Sequence, residues 1–256
     1  MMKVAVLSSG SKGNCTLIQS KNTTILIDLG VTKSYLEEKL KEIKVEPKDI
    51  SAILITHTHA DHIQGLKVFL KKYNPKLYVN KIILSLLKEN VDKFDYELYE
   101  TPDIQINDIK VKVIKTSHDV KGSVGFILTS ENKSVVYITD TGYINEKYFD
   151  TLKNHNMYII ESNHDTQMLL EGPYPYNLKQ RILGDKGHLS NKDTSYYLSN
   201  FIGDNTNTII LAHLSDDNNT YELALNETKQ MLERKKKNIK NVIIAKQKKR
   251  TDFIEV

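Results

Sequence analysis

The sequence predicts an α/β protein of the α+β kind, in which β-sheets pack against each other and helices lie outside them. Three observations lead to this prediction. Short runs rich in Val, Ile, Thr and Tyr fall mostly into two clusters along the chain. Segments with helical periodicity lie between and after these clusters, which differs from a simple βαβ repeat. No internal repeat or low-complexity linker interrupts the chain, so we expect one domain that spans residues 1–256.

The individual elements are predicted from the spacing of apolar residues. Strands are expected where β-branched and aromatic residues concentrate, at residues 3–7, 15–19, 24–27, 51–55, 109–115, 124–129, 134–138, 157–160, 208–211 and 241–245. Helices are expected where apolar residues recur every three or four positions, at residues 32–40, 62–72, 81–89, 146–152, 175–183, 191–201 and 221–235. Ser190 and Asp193 form a capping pattern in front of the helix at 191–201.

The composition is ordinary for a globular protein, with 39% hydrophobic and 27% charged residues. A chain of 256 residues can bury roughly 70% of its surface, which is enough for a sizeable core. Its apolar runs are too short for a membrane-spanning helix, and the apolar stretch near the N-terminus is too short for a signal-peptide core. The single cysteine, Cys15, excludes an internal disulfide. We therefore expect a cytoplasmic location.

Titratable side chains follow the predicted strands at the points where those strands end. A single histidine in such a place is usually a capping or packed residue. Six such placements in one chain instead indicate an active site at one edge of a sheet. The residues are Asp28, His57, His118, Asp140, Glu161 and His213.

The segment HTHADH at residues 57–62 contains three histidines and one aspartate. His57 and His59 are two positions apart, so in extended backbone their imidazoles point the same way. If a helix begins near Asp61, then Asp61 and His62 turn back to the same region. Neutral imidazoles and a carboxylate suit Zn²⁺, Mn²⁺ or iron. The alternative is a histidine-rich loop without a metal, which the position after a buried strand disfavours.

Positive charge is concentrated near the C-terminus. Residues 234–250 contain nine of the 36 lysines and arginines and no acidic residue. Such a stretch can mark a nucleic-acid surface, in which the end of the helix at 221–235 and the end of the strand at 241–245 lie on one face. The alternative is a solvated helix end and strand edge.

The motif HTHADH resembles the HxHxDH signature of the metallo-β-lactamase superfamily, and the later residues match its pattern in order across nearly the whole chain. The resemblance implies a four-layer αββα sandwich with a dinuclear metal site. It implies that Asp28 orients a ligand imidazole or the loop around it. It also implies that one metal takes His57, His59 and His118, the other takes Asp61, His62 and His213, and Asp140 bridges them.

Three further segments, SSGSKGNC, ESNHD and GHLSN, resemble the YycJ/WalJ (VicX) group of nuclease-like metallohydrolases. That resemblance implies 5′-to-3′ exonuclease activity on DNA. The last two segments are also similar to motifs of tRNase Z nucleases, in which a glutamate pairs with a histidine that acts as general acid. The matching residues here are Glu161 and His188.

The resemblance and the residues together give a candidate mechanism. Two divalent cations lower the pKa of a shared water so that hydroxide attacks phosphorus, and His188 protonates the leaving oxygen. The candidate catalytic residues are therefore Asp61, Glu161 and His188. The glycine- and serine-rich loop after the first strand offers candidate substrate-binding residues, Ser9, Ser11 and Asn14, or it is simply a tight turn. His164 positions substrate, supports Glu161 or a metal ligand, or only solvates the rim.

Several functions remain open at this stage. A nuclease that acts on DNA rather than RNA is favoured, without a membrane partner and with the oligomeric state undetermined. A small-molecule phosphodiesterase would use similar chemistry, whereas a thioesterase or lactamase would not need the Glu161 and His188 pair. A non-enzymatic metal-binding regulator has no chemical reason to keep all seven ligand-type residues. Only 73 positions separate Asp140 from His213, which leaves no room for a large inserted substrate-binding domain.

Overall fold

Within residues 1–91 and 93–256, which the computed structural model describes, two mixed β-sheets of seven strands each form the centre of the molecule. The first sheet has the order β14-β1-β2-β3-β4-β5-β6 and the second the order β13-β12-β11-β10-β9-β8-β7. The strands are β1 (Lys3–Ser8), β2 (Cys15–Gln19), β3 (Thr24–Ile27), β4 (Ala52–Leu54), β5 (Lys76–Val79), β6 (Tyr96–Leu98), β7 (Asp103–Ile106), β8 (Ile109–Lys115), β9 (Val124–Ser130), β10 (Lys133–Ile138), β11 (Met157–Glu161), β12 (Thr208–Ala212), β13 (Asn241–Ile244) and β14 (Ile254–Glu255).

Helices cover the outer face of each sheet. They are α1 (Lys33–Glu42), α2 (Ala60–Ile63), α3 (Leu66–Tyr73), α4 (Lys81–Val91), α5 (Phe149–Leu152), α6 (Thr166–Glu171), α7 (Tyr176–Leu183), α8 (Asn191–Phe201) and α9 (Tyr221–Arg234), with 3₁₀ turns at Pro47–Asp49 and Glu146–Tyr148. α1, α3 and α4 contribute buried side chains to the core of the first sheet, and α5, α8 and α9 contribute to a second core. The predicted four-layer αββα arrangement is confirmed.

The two-residue period of a strand produces these layers. In β11, Met157 and Ile159 belong to the core between the sheets, while Tyr158 and Ile160 belong to the core beneath α8 and α9. Because successive side chains point to opposite faces, a continuous apolar strand can bury both of its faces. The fully apolar runs in the sequence are therefore strands between two layers.

All ten predicted strands are present, with ends that differ by one residue at most. The sequence analysis missed β5, β6, β7 and β14, which are short. The predicted helix at 62–72 is wrong as one element, because it divides into α2 and α3 at Gly65. A Cβ on Gly65 would lie 2.1 Å from the carbonyl oxygen of Val31, so the chain passes too close for any side chain there. α6 was not predicted.

The direction of the strands decides where the site lies. β3 to β6 run parallel in the first sheet, and β10 to β13 run parallel in the second. The carboxyl ends of parallel strands meet at one edge, where ligand sites of open sheets are found. None of the described helices has the length and apolar character that crossing a membrane requires.

Candidate metal centre

The titratable residues singled out by the sequence converge at the edge where their strands end. Asp28 directly follows β3, His213 directly follows β12, and Asp140 lies two residues after β10. Glu161 is the last residue of β11. The HTHADH segment follows β4 and runs into α2, and His118 lies three residues after β8. The structure thus brings these residues together at the ends of the strands, and their role as an active site stays a prediction.

Three of these residues have left-handed backbone conformations. The φ angles of Asp28, Asp140 and His213 are 60°, 55° and 54°. Non-glycine residues adopt this region at an energetic cost, and such residues cluster at functional sites. Each one lies where a strand ends, and the side chain of each contacts another titratable residue of the site.

One half of the site is built from three imidazoles. Nε2 of His57 lies 3.1 Å from Nδ1 of His59, which in turn lies 3.3 Å from Nε2 of His118. Burial lowers the pKa of His57 well below its usual range, and the charges of His62 and His118 act in the same direction. The pKa of His59 is lowered by burial and by the charge of His118. A lower pKa favours the neutral form of His57 and His59, which is the form that binds a metal ion.

The other half combines carboxylates with two imidazoles. Oδ2 of Asp61 lies 3.4 Å from Nε2 of His62 and 3.7 Å from Nε2 of His213. Asp140 lies between the two halves, with Oδ2 3.3 Å from Nε2 of His62 and Oδ1 3.9 Å from Nε2 of His118. Its Oδ1 is also 3.5 Å from Nε2 of His213. Asp140 therefore contacts imidazoles of both halves.

A protein group holds the outward nitrogen of each of these imidazoles. Nδ1 of His62 donates to Asp28 at 2.8 Å, and Nδ1 of His118 donates to the carbonyl of Gly187 at 3.3 Å. The remaining contacts are His57 Nδ1 to Thr56 Oγ1 at 3.0 Å, His59 Nε2 to Asp119 Oδ1 at 3.2 Å, and His213 Nδ1 to Glu161 Oε1 at 2.9 Å. Metal-binding histidines are oriented in this way, because the outer acceptor fixes the tautomer and turns the other nitrogen inward.

The buried inward atoms fit divalent cations. Among the described residues, Nε2 of His213 and Oδ2 of Asp140 are buried and make no hydrogen bond. Burial by itself would lower the pKa of His62, but the charges of Asp140 and Asp28 outweigh it and raise that pKa to about 10. The pKa of His213 is raised well above its usual range in the same way, chiefly by Asp140. The negative charge that favours a proton on these imidazoles would also favour a metal cation. The donor atoms of His57, His59 and His118 lie within 4.8 Å of one another, and so do those of Asp61, His62 and His213.

Glu161 connects His188 to the ligand set. Its Oε1 accepts from Nδ1 of His188 at 2.8 Å and from Nδ1 of His213 at 2.9 Å. Its Oε2 accepts from the backbone N–H groups of Thr141 and Leu189. Burial would raise the pKa of Glu161, but the charge of His188 and these hydrogen bonds lower it. Burial would lower the pKa of His188, and the negative charge of Glu161 raises it instead.

The loop residues predicted to bind substrate have different surroundings. Ser9 is buried, and its Oγ accepts from the backbone N–H of His213 at 2.7 Å. Nδ2 of Asn14 lies 3.0 Å from Nε2 of His62 and 3.2 Å from Oδ2 of Asp61. Ser11, in contrast, lines a cavity of about 210 Å³ together with His188. Ser11 is thus the loop residue with access to that cavity.

His164 is only 1% exposed, and both of its ring nitrogens lack a hydrogen bond to the described residues. Burial lowers its pKa to about 4, so it is neutral. It is not a member of the described donor groups. Its backbone forms a bridge to Ser190, which joins the segment after β11 to the start of α8.

Sequence reasoning missed three residues that contact the site. Thr56 donates to Asp28 through its N–H and its hydroxyl, both at 2.8 Å, and so connects Asp28 to His57. Asp119 contacts His59 and also accepts from Nε of Arg181 at 2.7 Å. Thr56 and Asp119 could have been found from their positions in the sequence, because each is directly adjacent to a ligand-type histidine. Nothing in the sequence places Arg181, on α7, at this site.

β13 divides the basic stretch near the C-terminus into two groups of residues. Arg234 and the following lysines precede β13, whereas Lys246 follows it, so the two groups lie at opposite ends of that strand. The expectation of a single positive face stays a prediction. The second group lies near the site edge, because the N–H of Ser9 donates to the carbonyl of Lys246. Arg250 in that group is paired with Glu42 and Asp252.

Comparison with known proteins adds an independent result. The sequence pattern described as "Metallo-beta-lactamase superfamily" matches residues 9–213. The chain is 36% identical to the Exodeoxyribonuclease YycJ of Bacillus anthracis, over 90% of this chain and 89% of that protein. It is also 36% identical to the Exodeoxyribonuclease WalJ of Streptococcus pneumoniae serotype 2, over 87% of this chain and 85% of that protein. The crystal structure of the metallo-beta-lactamase fold protein YhfI from Bacillus subtilis superposes with a TM-score of 0.73 at 19% identity, and covers 98% of each chain.

Proposed function

The chain belongs to the metallo-beta-lactamase superfamily, and on this basis we propose that it is a metal-dependent nuclease that hydrolyses phosphodiester bonds of DNA from the 5′ end. The exodeoxyribonuclease relatives support the substrate class and favour DNA over RNA. The observation that carries the proposal is the placement of Glu161 between His188 and His213. This arrangement places His188, whose pKa Glu161 raises, beside the residues that would hold the metal ions, where a leaving alkoxide needs a proton.

The residues that would hold the cations follow from the geometry of the two halves. We propose two divalent ions, Zn²⁺ or Mn²⁺ with iron as a further candidate, one at each half. Such ions lower the pKa of a bound water and stabilise charge on a phosphoryl oxygen. The residues are His57, His59 and His118 in one half, Asp61, His62 and His213 in the other, and Asp140 between them.

The side chains of the protein supply the remaining steps. Glu161 holds Nδ1 of His188, which leaves Nε2 as the nitrogen that can donate a proton to the leaving oxygen. The side chain of His188 is 20% exposed and lines the 210 Å³ cavity, so a substrate can reach it. Asp61 remains a carboxylate, because hydrogen bonds from His213 and His62 outweigh burial and lower its pKa. It can therefore accept a hydrogen bond from the water that the reaction consumes.

The neighbouring residues have supporting roles in this proposal. Asp28 orients His62 directly and His57 through Thr56. Ser11 contacts substrate from the loop. Ser9 contacts the backbone of His213, and Asn14 contacts the imidazole of His62. Both residues therefore act through these histidines rather than on the substrate alone. His164 supports the segment that carries Glu161.

A substrate panel tests the proposal. We expect the purified protein with Mn²⁺ or Zn²⁺ to release nucleotides from 5′-labelled DNA and to act more slowly on RNA. Elemental analysis after reconstitution should give about two metal ions per chain. Asp140→Ala, which removes a contact to both halves, should lose both metal and activity. Preferential hydrolysis of bis-p-nitrophenyl phosphate without any DNA cleavage would instead favour a small-molecule phosphodiesterase, and absence of bound metal under all conditions would end the proposal.

A further inference from the structure

A second, larger cavity opens beside the metal centre. Its volume is about 900 Å³, against about 210 Å³ for the cavity that contains His188. The start of α4, the segment after β6 and the connection between β8 and β9 form its walls. His118 and Lys186 line both cavities. The larger cavity is therefore a groove that leads to the metal-binding residues.

The rim of this groove is strongly positive. Five exposed lysines line it against a single acidic residue, Glu100. None of the five forms an ion pair with a carboxylate in the described part of the chain. Other lysines, such as Lys39 and Lys72, are paired with glutamates. We call this set the lysine groove, and its members are Lys81, Lys115, Lys121, Lys147 and Lys186.

The lining between the lysines is largely apolar. Ile82 is 48% exposed, and Val120 and Tyr148 contribute further apolar surface. The ring of Tyr148 is held in place because its hydroxyl accepts from the backbone N–H of Lys115 at 3.3 Å. A free phosphate ion would gain nothing from such surface. A nucleic acid with exposed bases would gain from both the cations and the apolar lining.

We propose that the lysine groove binds one single strand of DNA and leads it past His118 to the metal centre. Duplex DNA presents its phosphates outward and keeps its bases stacked inside, so it could use the lysines but not the apolar surface. A single strand can place phosphates against the rim and bases against the apolar lining around Ile82. The identity of the strand as the substrate rests on the proposed nuclease function, whereas the binding of a single strand does not.

The test compares two triple substitutions with the same change in charge. The groove variant carries Lys115→Gln, Lys121→Gln and Lys147→Gln. The control variant carries Lys41→Gln, Lys48→Gln and Lys240→Gln. The control lysines are exposed and precede β4 and β13, at the opposite edge from the metal centre. Far-UV circular dichroism and thermal unfolding establish that both variants are folded.

Fluorescence anisotropy with a phosphorothioate single strand, which resists cleavage, measures binding to the metal-loaded protein. The groove variant should bind the strand about tenfold more weakly or worse at low salt, with a log–log salt slope that is about two units shallower. The control variant should bind like the wild type. Binding to a blunt duplex should be weaker than to the strand in the wild type.

The possible outcomes separate this proposal from the proposed function. Equal affinities of the groove and control variants for the strand would overturn the groove proposal, even if the wild type cleaves DNA. Tighter binding of the duplex than of the strand would overturn it as well. If the wild type cleaves no DNA but the groove variant alone loses affinity for the strand, the groove proposal stands and the nuclease proposal fails.

Discussion

His188 has one ring nitrogen bound to Glu161, which leaves the other free to donate a proton, so we expect removal of its imidazole to act mainly on proton transfer. His188→Ala should slow cleavage of an alkyl phosphodiester by roughly 10²- to 10⁴-fold. It should slow bis-p-nitrophenyl phosphate far less, because nitrophenolate leaves without a proton. Steady-state rates on the two substrates, with metal content measured in parallel, check this. Equal losses on both would instead indicate that His188 positions the substrate.

Asp119 should stabilise the three-histidine half of the site, since it contacts Nε2 of His59 while Arg181 holds its other oxygen. Loss of such an outer contact typically weakens metal binding 10- to 100-fold. Asp119→Asn should therefore lower the Zn²⁺ affinity by about that factor, measured by competition with a chromogenic chelator. Asp150→Asn, a change at a residue that is 94% exposed and paired only with Lys153, serves as control. Unchanged affinity in Asp119→Asn would contradict the assigned role.

At the scale of elements, a close approach of loops fixes the position of Asp61. A Cβ on Gly30 would lie 1.6 Å from the carbonyl oxygen of Asp61 and 2.8 Å from the backbone nitrogen of Asn14. Gly30→Ala must therefore displace the start of α2, and we expect it to lower the free energy of unfolding by about 1–3 kcal/mol or more. Urea unfolding measures this. Gly184→Ala is the control, because a Cβ there would lie 3.2 Å from its nearest atom, the carbonyl oxygen of Gln180. An equal loss of unfolding free energy in both variants would show that the effect does not come from the contact with Asp61.

α1 and α3 are connected through Glu37, which accepts hydrogen bonds from Tyr73 and from Lys72 and Lys33. These bonds, that of Tyr73 first, lower the pKa of Glu37 from 4.5 to about 2. A carboxyl group with a lower pKa in the folded state stabilises the fold above the unfolded pKa, and this contribution is lost as the pH falls towards the folded value. The stability advantage of the wild type over Glu37→Gln should thus shrink between pH 4.5 and pH 2. Urea midpoints at several pH values test this, and a constant difference would contradict it.

At the scale of the molecule, the two sheets share one core. One continuous cluster of buried side chains contains Val4 and Leu26 from the first sheet and Leu128 and Ile210 from the second. The chain also returns to the first sheet after completing the second, because β14 pairs with β1. We therefore propose that residues 1–256 fold as one domain.

One cooperative transition should follow from this shared core. Thermal or urea unfolding monitored by far-UV circular dichroism and by tyrosine fluorescence should give coincident curves, since neither sheet can expose its inner face alone. The chain has 14 tyrosines and no tryptophan, so the fluorescence reports on both sheets. Two separated transitions would show that the sheets unfold independently.

The long, strongly patterned elements and the ligand-type residues could be predicted from the order of the amino acids. Ten strands were predictable because their apolar runs must be buried whatever their neighbours are, and HTHADH is a local pattern with a specific chemistry. Short strands such as Tyr96–Leu98 were not predictable, because their pairing comes from β5 and not from their own exposed side chains.

Contacts between groups that lie far apart in the chain could be recognised only from the folded molecule. Glu161 reaches both His188 and His213, and Arg181 reaches Asp119 across 62 positions of the chain. The lysine groove likewise gathers residues from separate segments. Periodicity reports which face of an element is buried. Periodicity carries no information about which loops meet at the strand ends, because the order and direction of the strands set the distances between those loops.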